Sequence, residues 1–269
     1  MSPVVVTRPA RDAAQWVGDL QALGIDALAL PLIDIHAVST APLQQALVQA
    51  RLHAQAGRYQ AIMVVSGNAA THFFTPALVA ALAAQPGGGT RIWAPGPGTA
   101  GQLQALGLPP GCIDSPAADA RQFDSESLWQ SVGPRVGTGT RVLVVRGTST
   151  PALEGGNGRD WLAARIAAAG GQADFVAAYE RAAPAWSSAD LQQLRALLAS
   201  DPLWLLSSSE ALSHLVAALP RHDWSACRAL ATHPRIAQSA TGHGFGRVLQ
   251  CRPTLADVAA SIKSEHERR

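Results

Sequence analysis

Three stretches of this chain recur in weakened form, and they recur out of order. QAIMVVSGNAA (60–70) is echoed by PLWLLSSSEAL (202–212). RIWAPGPGTAGQLQALGL (91–108) is echoed by RALATHPRIAQSATGHGF (228–245). TRVLVVRG (140–147), however, has its counterpart SPVVVTRP (2–9) at the opposite end of the chain. A unit that begins at the N-terminus and resumes near residue 180 must have a second unit inserted into it. That order alone rules out a simple tandem array.

The repeated pieces are short apolar runs followed by helical patterns. VVV (4–6), AIMVVSG (61–67), RVLVVRG (141–147) and LWLLSSS (203–209) read as buried parallel strands. Helices are predicted from about Asp12, over about 42–56, from Asn68 with a break at Pro76, over 98–106 and from Asp124. Further helices are predicted over about 159–169, from a cap at Ser188, from Glu210, from Pro234 and over the last residues. PGGGT (86–90) and GGNG (155–158) read as turns. The alternation predicts an α/β fold with two parallel-sheet domains. PLIDIH (31–36) and ADFVAAYER (173–181) read as two antiparallel connectors between them. Domain one is then 1–36 plus 179–269, and domain two, inserted, is 37–178. The expected site is a cleft between the domains, with Tyr179 at its edge.

Composition narrows the function. The 269 residues carry a formal net charge of +2, with 48% hydrophobic and 15% charged residues. The basic residues are scattered, which disfavours a nucleic-acid surface. MSPVVVTRP lacks the pattern of an export signal, and no apolar run approaches the roughly 20 residues that span a bilayer. Cys112, Cys227 and Cys251 are far apart, as expected of free thiols in a reducing cytoplasm. The eight histidines form no ligand-spaced cluster, so no metal is expected.

Ligands of open parallel sheets bind beyond the carboxyl ends of the strands, where helix N-termini offer N–H groups and partial positive charge. Here those ends carry Thr7 and Arg8; Ser66, Gly67 and Asn68; Gly98 and Thr99; Arg146; and Ser207 and Ser208. The set suits carboxylates or phosphates. Ser66, Asn68 and Ser207 also fit as plain helix caps, and Tyr179 as a packing residue. Gly96-Pro97-Gly98-Thr99-Ala100-Gly101 matches GxGxxG, but Pro97 removes an N–H that a pyrophosphate would need, and the strand before it is interior to its unit. No nucleophile–base pattern is present. An enzyme of this kind would hold a reactive substrate rather than attack it covalently.

Taken together, TRP (7–9), PLIDI (31–35), VVSGNA (64–69), GPGTA (96–100), VLVVRG (142–147), GR (158–159), YER (179–181), HPRIA (233–237) and GFGRV (244–248) resemble the uroporphyrinogen-III synthase family, in its bacterial branch. The resemblance covers nearly the whole chain. It implies two flavodoxin-like domains and a monomeric, cofactor-independent lyase. The implied substrate is hydroxymethylbilane, handed over by the upstream bilane-forming deaminase. That linear tetrapyrrole loses water, passes through a spiro intermediate and closes with its last ring inverted. Tyr179 matches the tyrosine proposed to protonate the departing hydroxyl. Thr99 matches a domain-edge threonine, and Ser66 and Ser207 match paired strand-end serines. Arg8 and Arg146 are carboxylate partners by position. The chain departs from the pattern at Ile236, where a threonine is common, leaving Arg235 to supply charge. Asn68 stands where some members carry arginine. The rival reading is a two-domain cytoplasmic sensor that binds a tetrapyrrole or polycarboxylate without chemistry.

Overall fold

The structure is a computed structural model that describes residues 2–85, 89–117, 119–149 and 157–267. In chain order the elements are β1 (Val4–Val6), α1 (Ala10–Ala22), β2 (Ala27–Ala29), β3 (Asp34–Ala37), α2 (Ala41–Gln55), β4 (Ala61–Val64), α3 (Gly67–Phe73) and α4 (Pro76–Ala83). There follow β5 (Arg91–Trp93), α5 (Pro97–Ala105), β6 (Ile113–Asp114), α6 (Ser125–Val132), β7 (Arg141–Ser149), α7 (Asn157–Ala168) and β8 (Gln172–Ala182). The chain closes with α8 (Ser188–Ala199), β9 (Leu203–Leu206), α9 (Ser209–Ala218), β10 (Arg228–Ala231), α10 (Pro234–Gly242), β11 (Arg247–Gln250) and α11 (Leu255–Glu267).

Local chemistry sets many of these boundaries. Asp124 caps α6 by accepting from the Ser127 N–H, as its position predicts. The helix expected to be capped by Ser188 is capped by Ser187 instead. There Ser187 and Asp190 form a capping box, which satisfies two N–H groups that Ser188 alone could not. Of the turn read over 155–158, Asn157 and Gly158 belong to α7 instead, and residues 155 and 156 lie outside the described set. So do residues 86–88 of the PGGGT turn.

The chain divides into two compact units: Met1–Asp34 with Ala182–Arg269, and Ile35–Arg181. The outer unit holds a parallel five-stranded sheet in the order β11-β10-β9-β1-β2. Numbered within its own unit, this is the 2-1-3-4-5 order of doubly wound flavodoxin-like sheets. Val4, Val6, Leu203, Leu205 and Leu230 face Leu20, Val258 and Ile262 of α1 and α11, all fully buried.

The inserted unit holds a mixed sheet in the order β3-β8-β7-β4-β5-β6. Without β3, this is the same 2-1-3-4-5 order, entered at a different strand. β7 and β8 stand where β1 and β2 stand in the outer unit, and β4, β5 and β6 stand where β9, β10 and β11 do. The out-of-order repeat in the sequence is this circular shift. One face packs Ile62, Val64, Leu143 and Val145 against α2, α3 and α5. The other packs Met63, Val142 and Val144 against Leu128, Leu162 and Ile166 of α6 and α7.

The two stretches read as connectors become β3 and β8. They pair with each other, but β8 also runs parallel to β7 along its length, so both extend the inserted sheet. The division between units therefore falls at Asp34 and Arg181, and places Ile35, His36 and Tyr179–Arg181 in the inserted unit.

Candidate active site

In a 2-1-3-4-5 sheet the crevice that accepts ligands opens between the first and third strands, where the winding reverses. In the inserted unit that point lies between β7 and β4, and in the outer unit between β1 and β9. Most of the predicted site residues fall at these two places.

In the inserted unit, Ser66 follows β4 and caps α3, its Oγ accepting from the Ala69 N–H at 3.1 Å. The same Oγ lies 3.2 Å from the Tyr179 hydroxyl. Tyr179 belongs to β8, two strands away, and its side chain crosses β7 to get there. The β7–β8 register shows how. Arg146 pairs with Ala177 and Gly147 with Tyr179, so Ala178 is an extra residue in β8. This bulge disturbs the alternation, and both Ala178 and Tyr179 join the core on the α2 and α3 face. Tyr179 is thus a buried residue, 3% exposed, rather than one standing free at an edge. Its bond to half-buried Ser66 lies where that core meets solvent.

The other predicted residues of this unit sit nearby, but not all meet Tyr179. Gly67 and Asn68 form the first turn of α3, both half-buried. Gly98 is exposed and Thr99 buried in the first turn of α5. Among the described residues none pairs with the Thr99 hydroxyl. Arg146 is not brought to Tyr179. Alternation puts it on the α6 and α7 face, and its guanidinium lies 4.9 Å from the centre of the Phe175 ring.

In the outer unit, Thr7 is spent on structure: its hydroxyl donates to the Leu205 carbonyl at 2.8 Å, a buried bond between β1 and β9. The Arg8 guanidinium stacks 4.4 Å from the Trp16 ring centre, and its buried Nε has no hydrogen-bond partner among the described residues. Burial pulls the Arg8 pKa down, against the opposing pull of Asp12 and Cys251. Ser208, not Ser207, caps α9, accepting from the Ala211 N–H. The Ser207 Oγ is buried, with no hydrogen-bond partner among the described residues. Arg235 is exposed in the first turn of α10, where His233 Nδ1 accepts its N–H at 3.1 Å. Ile236 occupies the same helical position in α10 as Thr99 does in α5, and both are buried.

Sequence reasoning missed His72 and Arg51 at the site, and read Gly147 only as a strand end. Gly147 lies under the Tyr179 ring, His72 of α3 lies beside it, and Arg51 of α2 fixes His72. A glycine inside a β run signals close approach of another group. That signal went unread because the strand was ended at Gly147, whereas β7 continues to Ser149. Burial, and then the Arg51 guanidinium, push the His72 pKa down. Among the described residues, no group of three or more His, Cys, Asp or Glu is placed to hold a metal ion. Among the described residues, no helix is long and apolar enough to cross a membrane.

Fold and site define a class: two doubly wound α/β units, one inserted into the other, each with polar strand ends at its switch point. Comparison with known proteins narrows this. The family model described as uroporphyrinogen-III synthase HemD matches residues 14–260, and the chain belongs to that family. Among solved structures, a mutant uroporphyrinogen III synthase of the extremely thermophilic bacterium Thermus thermophilus is similar over 100% of both chains, with a TM-score of 0.56 and 16% identity. The uroporphyrinogen-III synthetase of Helicobacter pylori is similar over 98% of this chain and 99% of its own, with a TM-score of 0.50 and 11% identity. At these identities the likeness bears on the fold.

Proposed function

We propose that this protein converts hydroxymethylbilane to uroporphyrinogen III, with loss of water and inversion of the last ring. Family membership over residues 14–260 supports the reaction class. The observation that carries the site is the hydroxyl pair of Tyr179 and Ser66 at the switch point of the inserted sheet.

Either hydroxyl of the pair can be the donor, and one of the two arrangements suits proton donation to substrate. Ser66 Oγ already accepts the Ala69 N–H, so its own proton is available to the Tyr179 oxygen. With that oxygen accepting from Ser66, the phenolic proton points elsewhere, toward a bound hydroxyl. Tyr179 then donates to the departing hydroxyl as the carbon–oxygen bond breaks, and water leaves. The cation that remains is closed by the far end of the same chain. The protein's main contribution is to hold one conformer, because the unassisted reaction closes without inversion.

The substrate's acetates and propionates suit the positive ends of α5, α9 and α10, and at α5 the Gly98 and Thr99 N–H groups have no partner among the described residues. Arg8, whose Nε has no partner among the described residues, and exposed Arg235 add positive charge in the outer unit. Thr99 offers a free hydroxyl. Where the outer unit has Ile236 instead, His233 takes the N–H groups of Arg235, Ile236 and Ala237, so recognition there rests on the charge of Arg235.

The test is an isomer assay. Purified protein is given freshly generated hydroxymethylbilane, the products are oxidised, and type I and type III uroporphyrins are separated by chromatography. Predominantly type III is expected. Type I alone, as in a control without protein, would overturn the proposal and leave a tetrapyrrole-binding protein without catalysis.

A further inference from the structure

We infer that Gly147 and His72 are positioning residues for Tyr179: the glycine opens a path across β7 for the tyrosine ring, and the histidine holds the ring in it. This rests on the reading that Tyr179 acts on the substrate.

Adjacent strands are about 4.8 Å apart, so Tyr179 on β8 must pass over β7 to reach a serine at the end of β4. The residue it passes over is its register partner, Gly147. A Cβ placed on Gly147 would lie 2.5 Å from Tyr179 Cζ and 2.6 Å from one Cε. The obstacle would be a ring pinned at both ends rather than the tip of a flexible chain. Any side chain at 147 therefore lifts the ring and breaks the hydroxyl pair. The bulge at Ala178 and the glycine work together, one turning the tyrosine to this face and the other letting it lie flat.

His72 limits the ring's remaining freedom. Its ring centre is 5.7 Å from that of Tyr179, at an interplanar angle of 33°. Its own place is fixed through the backbone: Arg51 donates from Nη2 to the His72 carbonyl at 2.6 Å and from Nε to the Phe73 carbonyl at 2.9 Å. Those are carbonyls that the end of α3 leaves unpaired. The imidazole is thus held against the tyrosine by a clamp on the helix end.

The chain has two tyrosines, so tyrosine-ring 13C NMR of the whole protein gives one signal for Tyr179 and one for Tyr59 as an internal control. Tyr179→Phe assigns them. In Gly147→Ala the Tyr179 signal is expected to move and the Tyr59 signal to stay. Turnover to type III should fall about 100-fold, mainly in kcat. Should Gly147→Ala fail to fold, His72→Ala carries the test: the Tyr179 signal broadens or moves and kcat falls, and His72→Phe, which keeps a ring, restores both. In a Tyr179→Phe background neither substitution should lower activity further. An unmoved Tyr179 signal in His72→Ala and Gly147→Ala, or full additivity with Tyr179→Phe, would overturn the inference. If the wild-type protein makes no type III product, the functional reading fails, while the NMR shifts still report on the seat.

Discussion

The Tyr179 hydroxyl and Ser66 Oγ lie 3.2 Å apart although 113 residues separate them in the chain. Tyr179→Phe removes the proton donor and leaves the ring in place. It should lower type III formation by a factor of about 100 or more, the usual contribution of a positioned general acid. Ser66→Gly removes the partner hydroxyl while keeping a tolerated helix cap, at a stability cost of only a few tenths of a kcal/mol. Its turnover should fall with the melting temperature nearly unchanged. Full activity in Tyr179→Phe would end the proton-donor reading.

Thr99 and Ile236 test how each unit grips carboxylates. Thr99→Val keeps the shape and deletes the hydroxyl. Losing one neutral hydrogen bond, about 1 kcal/mol, should raise KM roughly fivefold with little change in kcat. Ile236→Thr introduces the hydroxyl the outer unit lacks, at a cost of about 1–2 kcal/mol because the site is buried. The type III fraction should not change, since exposed Arg235 already supplies the charge at this end of α10. Steady-state kinetics and chemical denaturation read the two effects separately.

Glu265 is the most exacting charge in the outer unit. It is 3% exposed on α11, and its carboxylate meets Arg247 at 2.7 Å and Arg228 at 3.5 Å. Arg228 is itself buried beneath it, with Asp201 as its other anchor. Glu265→Ala removes one of the two acidic partners of a buried guanidinium that keeps Asp201, so a loss of about 1–3 kcal/mol is expected. Urea unfolding would measure it. A change within about 0.5 kcal/mol would show that α11 docks through its apolar face alone.

Asp114 at the end of β6 should make the inserted unit acid-sensitive. Burial alone would raise its pKa, but hydrogen bonds and charge from Arg91 and Arg135 outweigh this, and the net shift is downward. A depressed carboxylate contributes stability above its unfolded value of 3.8, and loses it as pH falls through the lower folded value. Wild type should therefore exceed Asp114→Asn in stability at pH 6, and the gap should narrow below about pH 4. Urea midpoints at pH 6 and pH 3 provide the check. An equal gap at both would remove Asp114 as the source.

Much of the architecture was legible in the sequence because it rests on local rules. Short apolar runs bounded by turn residues and rich in branched side chains read as buried strands, caps and glycines stop helices, and the order of three echoed stretches requires one unit to sit inside the other. The polar residues at strand ends were legible for the same reason, since sheet topology puts every such end on one edge. What those residues do was decided by neighbours distant in the chain. Thr7 is occupied by the Leu205 carbonyl, Ser208 rather than Ser207 caps α9, and Arg146 lies over Phe175 on the face away from Tyr179. No periodicity places an extra residue in β8 opposite Gly147, yet that bulge turns Tyr179 inward and carries its hydroxyl to Ser66. The sequence by itself determined which residues form strands, in what order, and which polar groups stand at their ends. Only the tertiary structure decided which of those groups meet, because register and strand crossing are set by packing between segments far apart in the chain, as the 113 residues between Ser66 and Tyr179 show.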